Sequence, residues 1–165
     1  MAAVTQWLYL VINSHISLGA IFGAIRQLLG GCGMSQDRKS GAAANKWGRR
    51  TARKIATQIG AVMVDSYSNE ARFRGKRVVI KCAKPATNSV GVTFKMLGRL
   101  DSIIGALQLS GGSFELRSLA RSVFKSEMRE TRSRGDSTRK VGQVRRSVFV
   151  NQGKLLGQVR ISRTH

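Results

Sequence analysis

The chain has 165 residues, and its 29 Lys and Arg residues against 8 Asp and Glu residues give a formal net charge of +21 at pH 7. Hydrophobic residues make up 42% of the chain and there is one Pro, which excludes wholesale disorder and indicates one folded domain. So large an excess of positive charge predicts a partner rich in negative charge, either DNA or RNA.

The two cysteines give little sign of a metal site. Cys32 and Cys82 have no second Cys or His nearby at the spacing of zinc ligands, so zinc binding is not expected. Two thiols also do not make a disulfide framework. This cysteine usage suits a reducing compartment, and we expect a cytoplasmic protein.

The first 33 residues differ in composition from the rest. Arg26 is the one Lys or Arg before Met34, and residues 7–29 form an apolar run long enough to consider as a membrane helix. Polar residues interrupt this run, and the positive start of a secretory signal is missing. Because composition changes abruptly at Met34, translation from Met34 is the preferred alternative. We therefore predict an apolar segment, 1–33, that need not belong to the fold, and a basic nucleic-acid-binding domain, 34–165.

The basic domain begins with a predicted helix over residues 42–59 that ends at Gly60. Ala52, Ile55 and Ile59 share one face of it, which predicts packing against a core. The opposite face carries five candidate nucleic-acid-binding residues. These are Lys46, Arg49, Arg50, Arg53 and Lys54. Such a face is compatible with phosphate contact and equally with plain solvation.

Three strands are expected next. Residues 61–65 predict a short strand, and residues 69–73 and 76–84 predict the arms of a hairpin that turns at Arg74-Gly75. The second arm is rich in β-branched residues, which is typical of a central strand. Residues 90–94 alternate between apolar and small or polar residues and predict a further strand.

The periodicity then becomes helical. Leu97, Leu100, Ile103, Ile104 and Leu107 are spaced as on one helix face, and this pattern predicts a helix that ends at residues 110–112. A strand over 113–117 and a shorter helix over 120–129 complete the predicted core. The predicted fold class is therefore α/β, with a helix-strand-strand-strand-helix-strand core and a C-terminal β-hairpin.

The C-terminal part adds two further basic surfaces. Residues 129–140 contain no apolar residue and predict a mobile cationic loop. Two strands joined through Asn151-Gln152-Gly153 would form the C-terminal hairpin. The candidate nucleic-acid-binding residues of the loop and hairpin are Arg132, Arg134, Arg139, Lys140, Arg145 and Arg146.

Most catalytic arrangements are excluded by the sequence. The histidines are His15, in the apolar segment, and His165, the last residue, so histidine catalysis is not expected. No GxxxxGK[ST] loop is present, which argues against nucleotide hydrolysis. What remains is a set of two carboxylates and one lysine.

This set consists of Asp65 at the end of the first strand, Glu70 on the first hairpin arm and Lys81 on the second. If Arg74-Gly75 forms the turn, Glu70 lies opposite Val79 and on the same face as Lys81. Asp65 and Glu70 could then hold Mg²⁺ through oxygen ligands while Lys81 stabilises a hydroxide or a phosphate. An ordinary cross-strand ion pair between Glu70 and Lys81 is the alternative.

The order of elements, with residues 75–83 as the third strand, resembles the core of the restriction-endonuclease-like PD-(D/E)XK superfamily. The resemblance covers about residues 42–119. It implies metal-dependent DNA cleavage, with Lys81 as the motif lysine and Glu70 or Asp65 as the second-strand carboxylate. The chain departs from the family at Val79, where the family has an acidic residue. Either Glu70 supplies that carboxylate from the neighbouring strand, or the chain is an inactive relative that binds DNA.

The sequence therefore predicts a DNA-binding protein, with a Mg²⁺-dependent endonuclease as the sharper hypothesis. Asp65, Glu70 and Lys81 would be its catalytic residues, and the two carboxylates its metal ligands. A ribonucleoprotein component such as a ribosomal protein is one alternative, since small size and extreme basicity are typical of these proteins. A basic protein that binds anionic lipid through an anchored N-terminal segment is the other.

Overall fold

In the computed structural model, the chain is described over residues 38–131 and 139–161. These residues belong to the unit that spans Arg38–His165. The predicted apolar segment, the predicted start at Met34, and Arg132 and Arg134 lie outside the described residues. No helix in the described part of the chain is both long and apolar enough to cross a membrane.

The elements follow one another along the chain in a mixed α/β order. They are α1 (Arg38–Ile59), β1 (Val62–Met63), β2 (Glu70–Phe73), β3 (Lys76–Ala83), β4 (Ser89–Thr93), α2 (Phe94–Leu97), β5 (Ser102–Gln108), a 3₁₀ turn (Ser110–Gly112), β6 (Ser113–Ala120), α3 (Arg121–Glu127), β7 (Arg129–Glu130), β8 (Val141–Arg145), α4 (Arg146–Gln152) and β9 (Lys154–Arg160).

Helix α1 forms where the periodicity predicts it and ends at Gly60, whose φ of 70° is readily adopted by glycine. Ala52, Ile55 and Ala56 are buried on the face that packs against the main sheet. The five predicted cationic residues of α1 are all exposed. The helix therefore has one apolar and one cationic face, as the sequence predicts.

The main sheet has six strands in the order β1-β2-β3-β5-β6-β9. Strands β2 and β3 form the predicted hairpin, and both turn residues, Arg74 and Gly75, have positive φ, as tight hairpin turns require. Glu70 pairs with Val79, which confirms the predicted register. Strand β5 runs parallel to β3. The predicted α/β class is confirmed, because the chain combines helices with a sheet of antiparallel and parallel strands.

The predicted helix over residues 97–107 is wrong. Helix α2 ends at Leu97, and residues 102–108 form the central strand β5. Ile103 and Leu107 face one core, while Ile104 and Ala106 face the other. A strand buried on both faces contains an almost continuous apolar run, and this run also satisfies the i, i+3, i+4 spacing of a helix.

The two faces of the main sheet contact different partners. Helix α1 covers the face that includes Ala71, Val78 and Ile80. The other face packs against the second sheet, ordered β4-β8-β7, and against the short helices. Gly105 is needed on that face, because a Cβ there would lie 2.6 Å from Cδ1 of Phe149.

Both predicted C-terminal strands are present, as β8 and β9. Helix α4 lies between them and occupies part of the segment predicted as their connection. Strand β8 pairs with β4 and β7, whereas β9 pairs with β6 at the end of the main sheet. The predicted loop over 129–140 begins as strand β7, because Arg129 and Glu130 pair with β8.

Candidate functional site

Glu70 is the charged side chain that the fold buries most completely within the described residues, with 1% of its surface exposed. Its Oε2 accepts hydrogen bonds from Nε of Arg77 at 3.0 Å and from Nε of Arg99 at 3.0 Å. Nη2 of Arg77 lies 2.8 Å from the same oxygen, and Nη2 of Arg99 donates to Oε1. The guanidinium of Arg99, followed by that of Arg77, lowers the pKa of Glu70 despite its burial.

Asp65 lies in the exposed turn that follows β1 and holds this turn together. Its Oδ1 accepts hydrogen bonds from the backbone N–H groups of Tyr67 at 2.7 Å and Ser68 at 2.5 Å, and its Oδ2 accepts from Oγ of Ser68 at 2.9 Å. The backbone N–H groups of Ser68 and Tyr67 lower the pKa of Asp65. Both oxygens of Asp65 therefore stabilise this turn.

Lys81 lies on β3, two residues after Val79 and on the face of the sheet to which Glu70 belongs. Burial lowers the pKa of Lys81, while the charge of Glu70 opposes that shift. Within the described ranges, Lys81 makes no hydrogen bond or ion pair with another side chain. The carboxylate predicted as its partner is engaged by the two arginines instead.

The contacts of Asp65 and Glu70, the two predicted metal ligands, do not fit a divalent-metal site. Both oxygens of Glu70 accept hydrogen bonds from guanidinium groups, and Asp65 is engaged by its own turn. Val79, at the position where the superfamily has an acidic residue, is fully buried in the core. No group of three or more His, Cys, Asp or Glu side chains could hold a metal ion among the residues that the structure describes.

The cationic face of α1, which we call the α1 ridge, consists of Lys46, Arg49, Arg50, Arg53 and Lys54. All five side chains are exposed, and the helix contains no acidic residue. Among the described residues, no ion pair involves Lys46, Arg49, Arg50 or Arg53. The structure therefore brings these five predicted residues together on one surface of a helix that offers them no acidic neighbour at i±3 or i±4.

The C-terminal candidates divide into two kinds. Arg139, Lys140 and Arg145 are exposed. Arg146 instead donates from Nη1 to the carbonyl of Lys84 at 3.0 Å and from Nη2 to the carbonyl of Gln108 at 3.1 Å. Its guanidinium therefore holds α4 onto the end of the main sheet, and we assign it a structural role.

A second group of basic residues was not predicted from the sequence. Arg72 and Arg77 lie directly opposite one another on β2 and β3, and Arg99 reaches the same place from the loop after α2. We call these three residues, with Glu70, the arginine cluster. The alternation of β3 places Arg77 on the face of Val79 and Lys81, which was a usable signal. Nothing in the sequence placed Arg99 there.

Comparison with protein-family models and with curated protein sequences finds no match. Among solved structures, the chain is similar to the Holliday junction resolvase Hjc of the archaeal hyperthermophile Archaeoglobus fulgidus, with 14% sequence identity and a TM-score of 0.40. The match covers 66% of this chain and 91% of the resolvase chain. A similarity of this size supports no conclusion about function.

Proposed function

We propose that this protein binds DNA through the α1 ridge. The observation that supports the proposal most directly is the concentration of five exposed cationic side chains on one face of a helix that has no acidic residue. Lysine and arginine side chains in such an arrangement neutralise phosphates and release the counterions condensed on a nucleic acid.

The dimensions of the α1 ridge also suit a duplex. Nine residues of α-helix from Lys46 to Lys54 span roughly 12 Å, a length over which duplex DNA carries about seven phosphate charges. The major groove of B-form DNA admits an α-helix, whereas the major groove of an RNA duplex is deep and narrow. These properties favour DNA over double-stranded RNA as the partner.

The endonuclease hypothesis receives no support from the contacts of Glu70. The carboxylate predicted as a metal ligand accepts hydrogen bonds from Arg77 and Arg99, and a cation placed there would compete with two guanidinium groups. We therefore propose binding without metal-dependent cleavage, which corresponds to the inactive relative that the sequence left open.

The experiment that tests this proposal incubates the full-length chain with plasmid, linear duplex and single-stranded DNA at low and high salt, with and without Mg²⁺. We expect retention of duplex at low salt, weaker retention at high salt, and intact DNA throughout. Absence of retention even in dilute buffer would contradict the proposal. Cleavage that requires Mg²⁺ and is lost in Glu70→Gln or Lys81→Ala would establish the endonuclease, and copurification with ribosomes would favour the ribonucleoprotein alternative.

A further inference from the structure

A second concentration of positive charge lies on the face of the main sheet opposite α1, at the end where the β2–β3 hairpin turns. Two parallel strands, β3 and β5, begin at this end, so the hairpin and the loop before β5 come together there. Four basic residues lie near three acidic ones here. The basic residues are Arg72, Arg77, Arg99 and Arg121, and the acidic residues are Asp65, Glu70 and Asp101.

Arg72 and Arg77 bring two positive charges together across the β2–β3 pair, and Glu70 binds Arg77 but not Arg72. The two residues are register partners on antiparallel strands, and their side chains project from the same face. Like charges directly opposite one another destabilise a sheet. A negatively charged group bound between these side chains would remove that repulsion.

The buried carboxylate of Glu70 fixes two of the three guanidinium groups. Arg77 and Arg99 each use Nε and Nη2 for Glu70, while Nη1 of each makes no hydrogen bond within the described residues. Their side chains remain 39% and 42% exposed, against 1% for Glu70. Glu70 thus binds the Nε and Nη2 side of each guanidinium, and the Nη1 side has no protein partner within the described residues.

A phosphate group suits the Nη1 sides of Arg77 and Arg99. A guanidinium has five N–H donors in a rigid fork that matches the oxygens of a phosphate. Side chains already held in position lose less conformational entropy on binding than free ones do.

We propose that Arg72, Arg77 and Arg99 form a second phosphate-binding site, in which Glu70 orients the guanidinium groups of Arg77 and Arg99 toward a phosphodiester of DNA. This inference depends on the proposed function, since it assigns DNA to a second surface of the protein. The site lies on the opposite face of the main sheet from α1.

The test compares the affinity of the full-length chain for a labelled duplex in three variants. Arg72→Gln removes one exposed guanidinium without touching Glu70, and Arg99→Lys keeps the charge beside Glu70 but removes the rigid fork. Lys154→Gln is the matched control, because Lys154 is exposed on β9 at the far edge of the main sheet. Thermal unfolding of each variant reports whether the fold is retained.

We expect Arg72→Gln to weaken binding by about fivefold and to lower the salt slope by about 1, as for a lost phosphate contact. Arg99→Lys should weaken binding by a similar factor, and Lys154→Gln by less than about twofold. If Arg72→Gln and Lys154→Gln lower the affinity for the duplex equally while the wild-type chain binds, the proposed second site is wrong and the proposed function stands. If the wild-type chain does not bind, both proposals fail. Should Arg99→Lys unfold, the comparison of Arg72→Gln with Lys154→Gln decides the matter.

Discussion

The two cationic regions of this protein are built in different ways. The α1 ridge takes five side chains from consecutive turns of one helix and has no acidic residue among them. The arginine cluster takes its side chains from two strands and a loop, and arranges them around one buried carboxylate. Helical periodicity places the charges of the α1 ridge together. The arginine cluster instead depends on tertiary structure, which brings together residues from separate parts of the chain.

This difference has a consequence for binding. Arg49, Arg50 and Arg53 of the α1 ridge are exposed and make no ion pair within the described residues, so a partner has to order them, which opposes binding by as much as about 2 kcal/mol per side chain. In the arginine cluster, Arg77 and Arg99 are held in position by Glu70 before any partner binds. We therefore expect the ridge to supply most of the salt-dependent affinity and the cluster to supply a smaller, geometrically specific contact.

Neutralising the α1 ridge should produce the largest effect. In the triple variant Arg49→Gln, Arg50→Gln and Arg53→Gln, we expect the Kd for duplex DNA at low salt to rise about a hundredfold, because several phosphate contacts are lost together. Fluorescence anisotropy with a labelled duplex measures this change. The matched control changes three exposed cations elsewhere, Lys125, Arg129 and Lys154, to Gln. Equal losses in both variants would mean that net charge alone governs binding.

Removing the buried carboxylate should affect stability. In Glu70→Ala, Arg77 and Arg99 lose their common acceptor, and we expect the free energy of unfolding to fall by about 2 kcal/mol. Urea denaturation followed by circular dichroism measures this change. The α1 triple variant should unfold at nearly the wild-type urea concentration, because its altered side chains are exposed. A Glu70→Ala protein as stable as the wild type would show that the carboxylate does not hold the cluster together.

The same carboxylate should give stability a pH dependence. The pKa of Glu70 in the fold lies below its ordinary value of 4.5, so its ionised form stabilises the native state above pH 4.5. This contribution decreases as the pH falls from 4.5 through the lowered pKa. We expect the free energy of unfolding of Glu70→Gln to change less with pH in this range than that of the wild type. Asp65, whose pKa is also lowered, contributes equally in both proteins, and identical profiles would contradict the assignment.

The sequence predicted those features that depend on local patterns. Helix α1 with its two faces, the β2–β3 hairpin and the pairing of Glu70 with Val79 followed from periodicity and turn residues. Residues 102–108 were mistaken for a helix because a strand buried on both faces loses the alternation that identifies strands. Prediction from local sequence therefore failed for β5, the central strand, because packing on both of its faces determines its structure.

The contacts of Glu70 could not be predicted from the sequence, for a different reason. Its position beside Val79 and Lys81 was correct, but the partner that lowers its pKa most is Arg99, which lies 29 residues away along the chain. This contact depends on the parallel pairing of β3 with β5, which brings the loop before β5 beside the hairpin. If the loop before β5 is not considered, the oxygens of Glu70 resemble those of a free metal ligand. In the fold, these oxygens accept hydrogen bonds from Arg77 and Arg99.

The salt dependence of DNA binding tests the role of the α1 ridge most directly. The slope of log Kd against log salt concentration should be steep for the full-length wild-type chain, and it should decrease by about 2 to 3 in the α1 triple variant, or about 0.9 for each lost phosphate contact. The control variant at Lys125, Arg129 and Lys154 should keep the wild-type slope. A slope unchanged by loss of the three arginines would show that DNA phosphates do not contact the α1 ridge, and would contradict DNA binding through this helix.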